Sequence, residues 1–358
     1  MLDVADVPGL LLERRLLDPR DVVHGQLRVV EASRLNSVFI VTAEGRRPLV
    51  VKAGAGVARE AAVLERLHEA ADGGGLAAFL PTVLAADRTA GRLVLESAPG
   101  ARDLRRHHAH GRFSRALARQ AGRALAALHA IPPAALDGMR VGGDHGPEVR
   151  VHDPDLEAVR SMSPAAKELT RFIQGQDDLC AALDRIAASS RADGVIHGDV
   201  RWDNLLAIPS AGSRRWTRLA LIDWELCEIG DPAADVGAFL GEYLRAWAQS
   251  VPVADPLDPG RLLGHAGLPL RRMRPALRAF WEAYARAGWP GDERAPLLRR
   301  AVDLAAVRLL TAALEEAQAR DELRARVLCL VPLSRNLLCR RGEEGARLLG
   351  LDAVRGAA

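Results

Sequence analysis

Two polar residues five positions apart make the segment VIHGDVRWDNLLA (195–207) a candidate for chemistry: Asp199 and Asn204. A carboxylate can accept or orient the proton of a hydroxyl nucleophile, and an amide oxygen is a hard ligand for a divalent cation. Apolar residues on both sides predict strands that hold the two groups on one loop. A polar turn capped by Asp and Asn would explain the same residues, so this segment alone leaves both interpretations open.

A second segment, LALIDWELCEIGDP (219–232), repeats the design. Its apolar run ends at Asp223, and Glu225 follows two positions later. Paired acids at a strand end suit Mg²⁺, which prefers oxygen ligands and keeps several waters. Solvated acids at an exposed strand end are the alternative. The occurrence of both segments in this order favours a metal site next to a hydroxyl-binding group.

Lysine is scarce in this chain, because only Lys52 and Lys167 are lysines among its 49 basic residues. A coding bias towards arginine explains the scarcity. Under such a bias each remaining lysine is a candidate for chemistry that a planar guanidinium cannot do, since an ammonium is a compact point charge. Lys52 ends the apolar run PLVVK, which makes it either a site residue or a solvated strand end.

The elements around these residues predict an α+β chain with two lobes. Short β-branched runs in 26–53 and in PTVLAADRTAGRLVLES predict a small antiparallel sheet, and apolar spacing in 58–71 predicts one helix beside it. Most of the sequence beyond this point has helical periodicity. We therefore predict an N-terminal lobe at 1–97 and a larger helical lobe at 98–358, in which the Pro- and Gly-rich stretch 132–158 is a loop or insertion.

The string HGDxxxxN, followed by IDWE and GDPAAD, resembles the signature of the aminoglycoside phosphotransferase and choline kinase family over roughly residues 30–310. The resemblance implies a bilobal protein-kinase-like fold and transfer of the γ-phosphoryl group of ATP. It makes Asp199 the catalytic base and makes Asn204 and Asp223 ligands of Mg²⁺. It also implies that Asp235 braces the catalytic loop from a helix start, with a polar position in the first helical turn as the alternative.

The same resemblance implies site residues in the N-terminal lobe. Lys52 would contact the α- and β-phosphates and pair with a helix glutamate, for which Glu60 is the candidate, although Glu65 lies on the same helix. The segment SRLNS replaces the Gly-rich loop that protein kinases place over the phosphates. Asn36 or Ser37 is its candidate phosphate contact. The missing GxGxxG favours the small-molecule kinases over the protein kinases.

The string LVLESAPG resembles the hinge at which the adenine pairs with backbone groups, here the Glu96 carbonyl and the Ala98 amide. Arg201, two residues after Asp199, stands where protein kinases place a lysine near the γ-phosphate. A cation there would stabilise the charge on the transferring phosphoryl group. Packing on Trp202 or a surface ion pair is the alternative for this arginine.

The acceptor is predicted from charge and from a narrower resemblance. Residues 236–358, whose helices build the acceptor site in this family, hold 19 arginines against 14 acidic residues. This excess disfavours a polycationic aminoglycoside, which would need an acidic cleft. HGDVRWDN with IDWE also resembles a subset that phosphorylates Ser or Thr of ribosomally made, lanthipeptide-type precursor peptides, from which a separate lyase removes the phosphate.

A peptide acceptor is therefore the first expectation. A small-molecule alcohol is the alternative acceptor, and a nucleotide-binding pseudokinase scaffold is the alternative class of protein. The complete set of Lys52, Asp199, Asn204 and Asp223 argues against the pseudokinase.

The composition, 49% hydrophobic and 27% charged with a net charge of +3, is that of an ordinary globular protein. This mild positive charge does not by itself imply a nucleic acid partner. Four cysteines without a CxxC pair argue against a zinc site and a disulfide scaffold. The sequence has neither a signal-peptide pattern nor a run of 18 apolar residues. We therefore expect a cytoplasmic protein without a nucleic acid or membrane partner.

Overall fold

The structure, a computed structural model, describes residues 2–23, 27–32, 37–71, 75–109, 111–136, 138, 149–210, 216–252, 266–339 and 342–351. The chain forms two compact units. Unit 1 consists of Met1–His107 with Asp203–Cys227, and unit 2 consists of His108–Trp202 with Glu228–Ala358. The segment 203–227, which the sequence assigned to the helical lobe, therefore packs with the residues of unit 1.

The strands of the described ranges form two antiparallel sheets in unit 1 and one antiparallel pair in unit 2. They are β1 (Arg28–Glu31), β2 (Ser37–Thr42), β3 (Leu49–Ala53), β4 (Val83–Asp87), β5 (Arg92–Glu96), β6 (Arg102–Asp103), β7 (Gly194–Ile196), β8 (Leu205–Pro209), β9 (Trp216–Leu221) and β10 (Glu228–Gly230). The larger sheet of unit 1 has the order β1-β2-β3-β5-β4, and the smaller one has the order β6-β8-β9. In unit 2, β7 pairs with β10.

The α-helices lie mainly in unit 2. They are α1 (Val7–Glu13), α2 (Pro19–Val23), α3 (Ala55–Ala70), α4 (Leu104–His108), α5 (Arg115–His129), α6 (Leu156–Ser161), α7 (Pro164–Gln174), α8 (Asp177–Ala188), α9 (Pro232–Gln249), α10 (Leu270–Gly288), α11 (Arg294–Gln318), α12 (Ala325–Leu328), α13 (Leu330–Cys339) and α14 (Gly342–Leu349). None of these helices, within the part of the chain that the structure describes, is both long and apolar enough to cross a membrane. The helix predicted over 58–71 is α3.

The residues before the first strand, to which the sequence analysis assigned no element, form helices α1 and α2. The sequence VPGLLLE places apolar side chains on one side of α1 at helical spacing. These side chains and their neighbours belong to the core of unit 1, which contains Leu2, Val7, Leu10, Leu11 and Leu17 together with Phe39, Val41, Leu49, Val51 and Val94. Helix α1 is thus an integral part of the packing of the five-stranded sheet.

Strands β8 and β9 form a hairpin that positions two of the candidate metal ligands. The register pairs Leu205 with Leu221, and the Ile222 amide donates a hydrogen bond to the Asn204 carbonyl over 3.0 Å. Asn204 directly precedes β8, and Asp223 follows β9 by two residues. The backbone therefore brings these two residues together at the open end of the hairpin.

Unit 2 is built on close contacts between helices, α5 with α10 and α9 with α11. A side chain at Gly122 of α5 would overlap the Phe280 carbonyl, and one at Gly237 of α9 would lie 2.7 Å from the Ala301 carbonyl. The rings of Phe239 and Phe280 stack with their centroids 4.0 Å apart. The glycines therefore let the backbones within each helix pair approach closely, and the stacked rings fill the core between α9 and α10.

The predicted loop at 132–158 is described except at residues 137 and 139–148. Its last part packs on unit 2, where His152 is buried and its Nε2 lies 3.1 Å from Asp184 Oδ1 of α8. This end of the stretch is therefore structured rather than a solvent-exposed loop.

Burial raises the pKa of Asp303, on α11, to about 6, although Arg185, Arg299 and Arg300 oppose the shift. An unfolded aspartate ionises near pH 4, whereas folded Asp303 stays protonated up to about pH 6. Ionisation therefore favours the unfolded chain, and this residue lowers the free energy of unfolding as pH rises from about 4 to about 6. We expect Asp303→Asn, which keeps the shape without the charge, to raise the melting temperature at pH 7.5 and to have a much smaller effect at pH 4.5. Thermal denaturation at the two pH values tests this; an equal shift at both would contradict it.

Candidate active site

A buried ion pair links β3 to α3 in unit 1. The Lys52 ammonium lies 2.8 Å from both carboxylate oxygens of Glu60, and the two residues are only 8% and 1% exposed. Glu65, the alternative partner, is instead exposed and pairs with Arg88 over 3.3 Å. The structure therefore pairs Lys52 with Glu60.

Asp223 contacts the same ammonium, with its Oδ1 3.0 Å from Lys52 Nζ. Its backbone has a φ of +69°, a left-handed conformation that costs energy for a residue with a side chain and persists where the surroundings enforce it. The Trp224 amide donates a 3.4 Å hydrogen bond to Glu60 Oε1. Burial acts to lower the pKa of Lys52, but the Glu60 and Asp223 carboxylates outweigh it and raise that pKa, so the lysine stays charged.

Asn204 and Asp223 lie together because of the β8–β9 hairpin. The Asp223 side chain is 37% exposed, which leaves part of the carboxylate accessible. Carboxylate and amide oxygens are donors that Mg²⁺ prefers, so these two residues fit the ion that the resemblance implies. Glu225, the third predicted ligand, has its carboxylate against Gly56 at the start of α3, where a side chain on the glycine would overlap Glu225 Oε2.

A cavity of about 840 Å³ opens beside Lys52 within unit 1. Its walls are largely apolar and come from both sheets. The apolar lining includes Val50, Leu80, Pro81, Leu95, Leu206, Ile208, Ala220 and Ile222. An apolar slot of this size beside a fixed ammonium fits a purine nucleotide, whose base is flat and whose phosphates are anionic.

The predicted hinge, Glu96 to Ala98, lies on the edge of this cavity. The amides of Glu96 and Ser97 are occupied, since they donate to the Thr82 carbonyl over 2.9 Å and to the Pro48 carbonyl over 2.8 Å. The Ala98 amide donates no hydrogen bond to any residue in the described ranges. It is thus a backbone donor available to a base in the cavity.

Ser37, a predicted phosphate contact, is the first residue of β2 and pairs in register with Ala53, next to Lys52. Asn36, its alternative, lies outside the described residues. The backbone therefore places Ser37 near the lysine, and its role stays a prediction.

In unit 2, the loop that carries Asp199 is held by a buried carboxylate. Asp235, at the start of α9 and 1% exposed, accepts hydrogen bonds from the amides of His197 at 2.7 Å and Gly198 at 3.0 Å. His129 Nε2 lies 3.1 Å from the same carboxylate. Burial alone would favour the neutral acid, but His129 and the His197 amide hold the pKa of Asp235 below its usual value. Asp235 therefore braces the loop, in the place that the resemblance implied.

Arg201 lies beside Asp199, with Nε 3.8 Å from the Asp199 carboxylate. Its other end is held by Glu315 of α11, whose Oε2 accepts from Arg201 Nη2 over 3.1 Å. Arg308 binds the same glutamate over 2.8 Å. The alternative of an ion pair is thus seen in the structure, and the pair holds the guanidinium next to Asp199.

Two side chains that hold site residues in place were not predicted from the sequence. His129 ends α5, 106 residues away from Asp235, and its Nδ1 lies 2.8 Å from the Tyr284 hydroxyl. Glu315 lies 114 residues after Arg201. No local pattern signals partners at such separations; the only available hint was that a histidine and a glutamate stand among apolar helix positions.

The solved structures to which this fold is similar include three that are phosphotransferases or kinases by name. A choline/ethanolamine kinase family protein from Mesorhizobium loti is 16% identical, with a TM-score of 0.52 over 98% of this chain and 99% of that chain. The ADP-bound aminoglycoside phosphotransferase APH(2'')-Ib is 15% identical, with a TM-score of 0.52 over 95% and 100%. A type I macrolide 2'-phosphotransferase is 19% identical, with a TM-score of 0.50 over 95% and 98%. These matches confirm the predicted bilobal, protein-kinase-like α+β fold.

Among curated proteins, human acyl-CoA dehydrogenase family member 11 is 26% identical over 106 residues, which are 30% of this chain. The chain spans only 11% of the length of that relative. The model of the phosphotransferase enzyme family matches residues 26–280, well over half of the chain, and includes every predicted site residue. The predicted family and the predicted class of enzyme are therefore confirmed, and the chain belongs to the phosphotransferase enzyme family.

Proposed function

We propose that this chain uses Mg²⁺ to transfer the γ-phosphoryl group of ATP to an alcohol. The observation that carries the proposal is the buried Lys52 ammonium, bonded to Glu60 and to Asp223 beside the cavity of about 840 Å³. A structural ion pair needs one carboxylate and no cavity. A lysine that binds phosphates must instead be kept charged and oriented at the end of a nucleotide site.

The residues of unit 1 would bind the nucleotide. The Ala98 amide and the Glu96 carbonyl would pair with the base, and Lys52 would bind the phosphates. Asn204 and Asp223 would hold Mg²⁺, which neutralises charge on the phosphate oxygens when bound. The name of the ADP-bound aminoglycoside phosphotransferase with the same fold supports a nucleotide as the ligand.

The residues of unit 2 would act on the acceptor. Asp199 orients the hydroxyl and takes its proton as the acceptor oxygen forms its bond to the γ-phosphorus and the bond to the ADP oxygen breaks. Arg201 adds positive charge for the transferring group. Asp235 keeps the loop that carries both residues in one conformation through the backbone amides that it binds.

For the acceptor we infer the hydroxyl of a small molecule. Proteins that share this fold include, by name, a choline/ethanolamine kinase family protein, an aminoglycoside phosphotransferase and a macrolide phosphotransferase. The arginine excess of 236–358, which disfavoured a polycationic aminoglycoside, is not freely available to an acceptor, because many of these arginines have partners within the protein. They include Arg245, Arg300, Arg308, Arg326 and Arg335 in ion pairs, and Arg274 and Arg278 on backbone carbonyls. A peptide Ser or Thr, with a lyase acting on the product, stays a prediction of the narrower resemblance.

Incubation with Mg²⁺ and radiolabelled ATP tests both acceptor classes. We expect phosphate to appear on a member of a panel of amino alcohols, sugars and macrolides, and mass spectrometry to find none on Ser- or Thr-containing precursor peptides. Phosphate on the peptides alone would overturn the small-molecule acceptor. Nucleotide binding without ATP consumption, with or without any acceptor, would contradict the proposed transfer and support the pseudokinase.

A further inference from the structure

Helix α3 is tied to the loop after Asp223 at three points, all within unit 1. The Trp224 amide donates to Glu60 Oε1 over 3.4 Å. Arg59 Nη2 donates to the Cys227 carbonyl over 2.6 Å. The Glu225 carboxylate lies against Gly56. The loop therefore contacts the helix along its first two turns.

At Gly56 the Glu225 carboxylate occupies the space that a side chain would take, because a side-chain carbon on this residue would overlap Glu225 Oε2. Gly56 is the second residue of α3, and its φ is not among the positive values of the chain. The backbone there accepts any residue, so the conflict that a side chain would meet is with the carboxylate at the end of the Glu225 side chain. The neighbours of Gly56 in the first turn are Ala55 and Val57, and the glycine is the residue that admits the carboxylate.

A carboxylate at this point is favoured for a second reason. The first amides of a helix lack partners within the helix, and the helix dipole makes its N-terminus positive. No side-chain cap is present at the N-cap residue of α3, which is Gly54, and the first turn contains no acidic residue. The Glu225 carboxylate, which belongs to the loop, thus places a negative charge at the N-terminus of α3, where the helix has no acidic residue of its own.

We propose that Glu225 is a positioning residue that anchors the start of α3 to the Asp223 loop, rather than a metal ligand. The absence of a side chain at Gly56 leaves room for the Glu225 carboxylate. Gly56 and Glu60 are four residues apart and therefore lie on the same face of the helix. An anchor at Gly56 holds the Glu60 carboxylate against Lys52, and the same loop holds Asp223 on the other side of the ammonium. This role rests on the proposed function, because the positioned residues are those assigned to the phosphates and to Mg²⁺.

The two roles of Glu225 differ in protein without metal or nucleotide. We expect Glu225→Ala to lower the melting temperature in EDTA by about 3 °C or more, since the anchor is lost. A metal ligand beside Asp223 would behave in the opposite way, because removing a like charge leaves the melting temperature unchanged or higher. These measurements need no nucleotide and no turnover, so they decide the anchor even if the proposed phosphotransfer fails.

Glycine variants provide a matched comparison. Alanine normally stabilises a helix relative to glycine, and Gly9→Ala in α1, where an added carbon meets nothing within 4 Å, is expected to keep or raise the melting temperature. Gly56→Ala is expected to lower it, because the new methyl group displaces Glu225. The double variant Gly56→Ala with Glu225→Ala should be no less stable than Glu225→Ala alone, since the overlapping oxygen is gone. A Gly56→Ala variant as stable as Gly9→Ala would overturn the proposal.

Kinetics distinguish positioning from general stability. We expect Glu225→Ala to raise KM for Mg²⁺-ATP roughly tenfold with a smaller change in kcat, because the anchor acts on the residues that bind phosphate. Glu225→Gln keeps an oxygen of the same reach and should recover most of KM. The Mg²⁺ concentration for half-maximal rate should rise only a few-fold in Glu225→Ala, because the anchor also holds the loop that carries Asp223, and it should return to that of the unchanged chain in Glu225→Gln. A shift of that concentration by tenfold or more, with no change in EDTA stability, would show that Glu225 is a metal ligand.

Discussion

Asp199→Asn is expected to abolish phosphoryl transfer while leaving nucleotide binding close to that of the unchanged chain. The asparagine keeps the shape of the side chain but cannot accept the hydroxyl proton, and general base catalysis typically contributes about 10²–10⁴-fold to the rate. The loop conformation should survive, because Asp235 fixes it through the amides of His197 and Gly198. The proposed nucleotide cavity is lined by other residues, all in unit 1.

The measurement is the rate of acceptor phosphorylation together with the affinity for Mg²⁺-ATP. Asp203→Asn is the matched control, since Asp203 lies four residues further along and is an exposed carboxylate paired with Arg105 over 2.6 Å. The pair with Arg105 is bidentate and lies outside the proposed chemistry, so the control should keep its rate within a few-fold even where it lowers stability. If Asp199→Asn turned over its acceptor as fast as Asp203→Asn, the role of Asp199 as the base would be wrong.

The part of the site that the sequence could predict depends on contacts that are short along the chain. The resemblance implied that Lys52 pairs with a helix glutamate, and the local pattern offered Glu60 because the two residues are only eight apart, on a strand end and the helix that follows it. The brace at Asp235 came from the resemblance alone, because its contacts with His197 and Gly198 span 38 and 37 residues. No property of GDPAADVG shows which backbone amides its carboxylate will reach.

Other features could not be predicted because they depend on packing between distant segments. The hairpin of β8 and β9 continues the sequence of the catalytic loop, yet it packs with unit 1. Helix α1 is too short to be stable alone and forms because its leucines join the core of the sheet. In both cases burial against distant segments decides where the element packs, and the periodicity within the element does not show which segments those are.

The prediction of the acceptor from net charge is limited for a similar reason, because it also depends on contacts between distant residues. The count of arginines in 236–358 was correct, but a count does not tell which guanidinium groups face solvent. Arg274 donates two hydrogen bonds to the Leu348 carbonyl, and Arg278 binds the Gly350 carbonyl. These side chains join α10 to the end of α14, so their charge serves the fold. The prediction about the charge of the acceptor therefore rested in part on arginines that bind backbone carbonyls and hold helices together.

Substitution of Lys52 is expected to have the second large effect, the loss of stabilisation by Mg²⁺-ATP. A ligand that binds only the folded chain stabilises it by about 2.7 kcal/mol at 100 times its Kd, so the unchanged protein should show a clear rise in melting temperature. Lys52→Ala removes the ammonium that would bind the phosphates, and the rise should disappear. It also leaves the buried Glu60 without its partner, and breaking a buried pair typically costs about 3–5 kcal/mol.

Because a cost of that size is enough to unfold Lys52→Ala in a marginally stable protein, Lys52→Arg is the decisive variant. Arginine keeps the positive charge between Glu60 and Asp223, so the protein without ligand should stay folded. A planar guanidinium differs in shape and donor geometry from the ammonium that lies within 3.0 Å of three carboxylate oxygens, and we expect at least a tenfold weaker affinity for Mg²⁺-ATP. Lys167→Arg, at the other lysine of the chain, is the matched control and should change nothing. If Lys52→Arg and Lys167→Arg bound the nucleotide equally well, Lys52 would be a structural cation, and the scarcity of lysine would reflect only the coding bias.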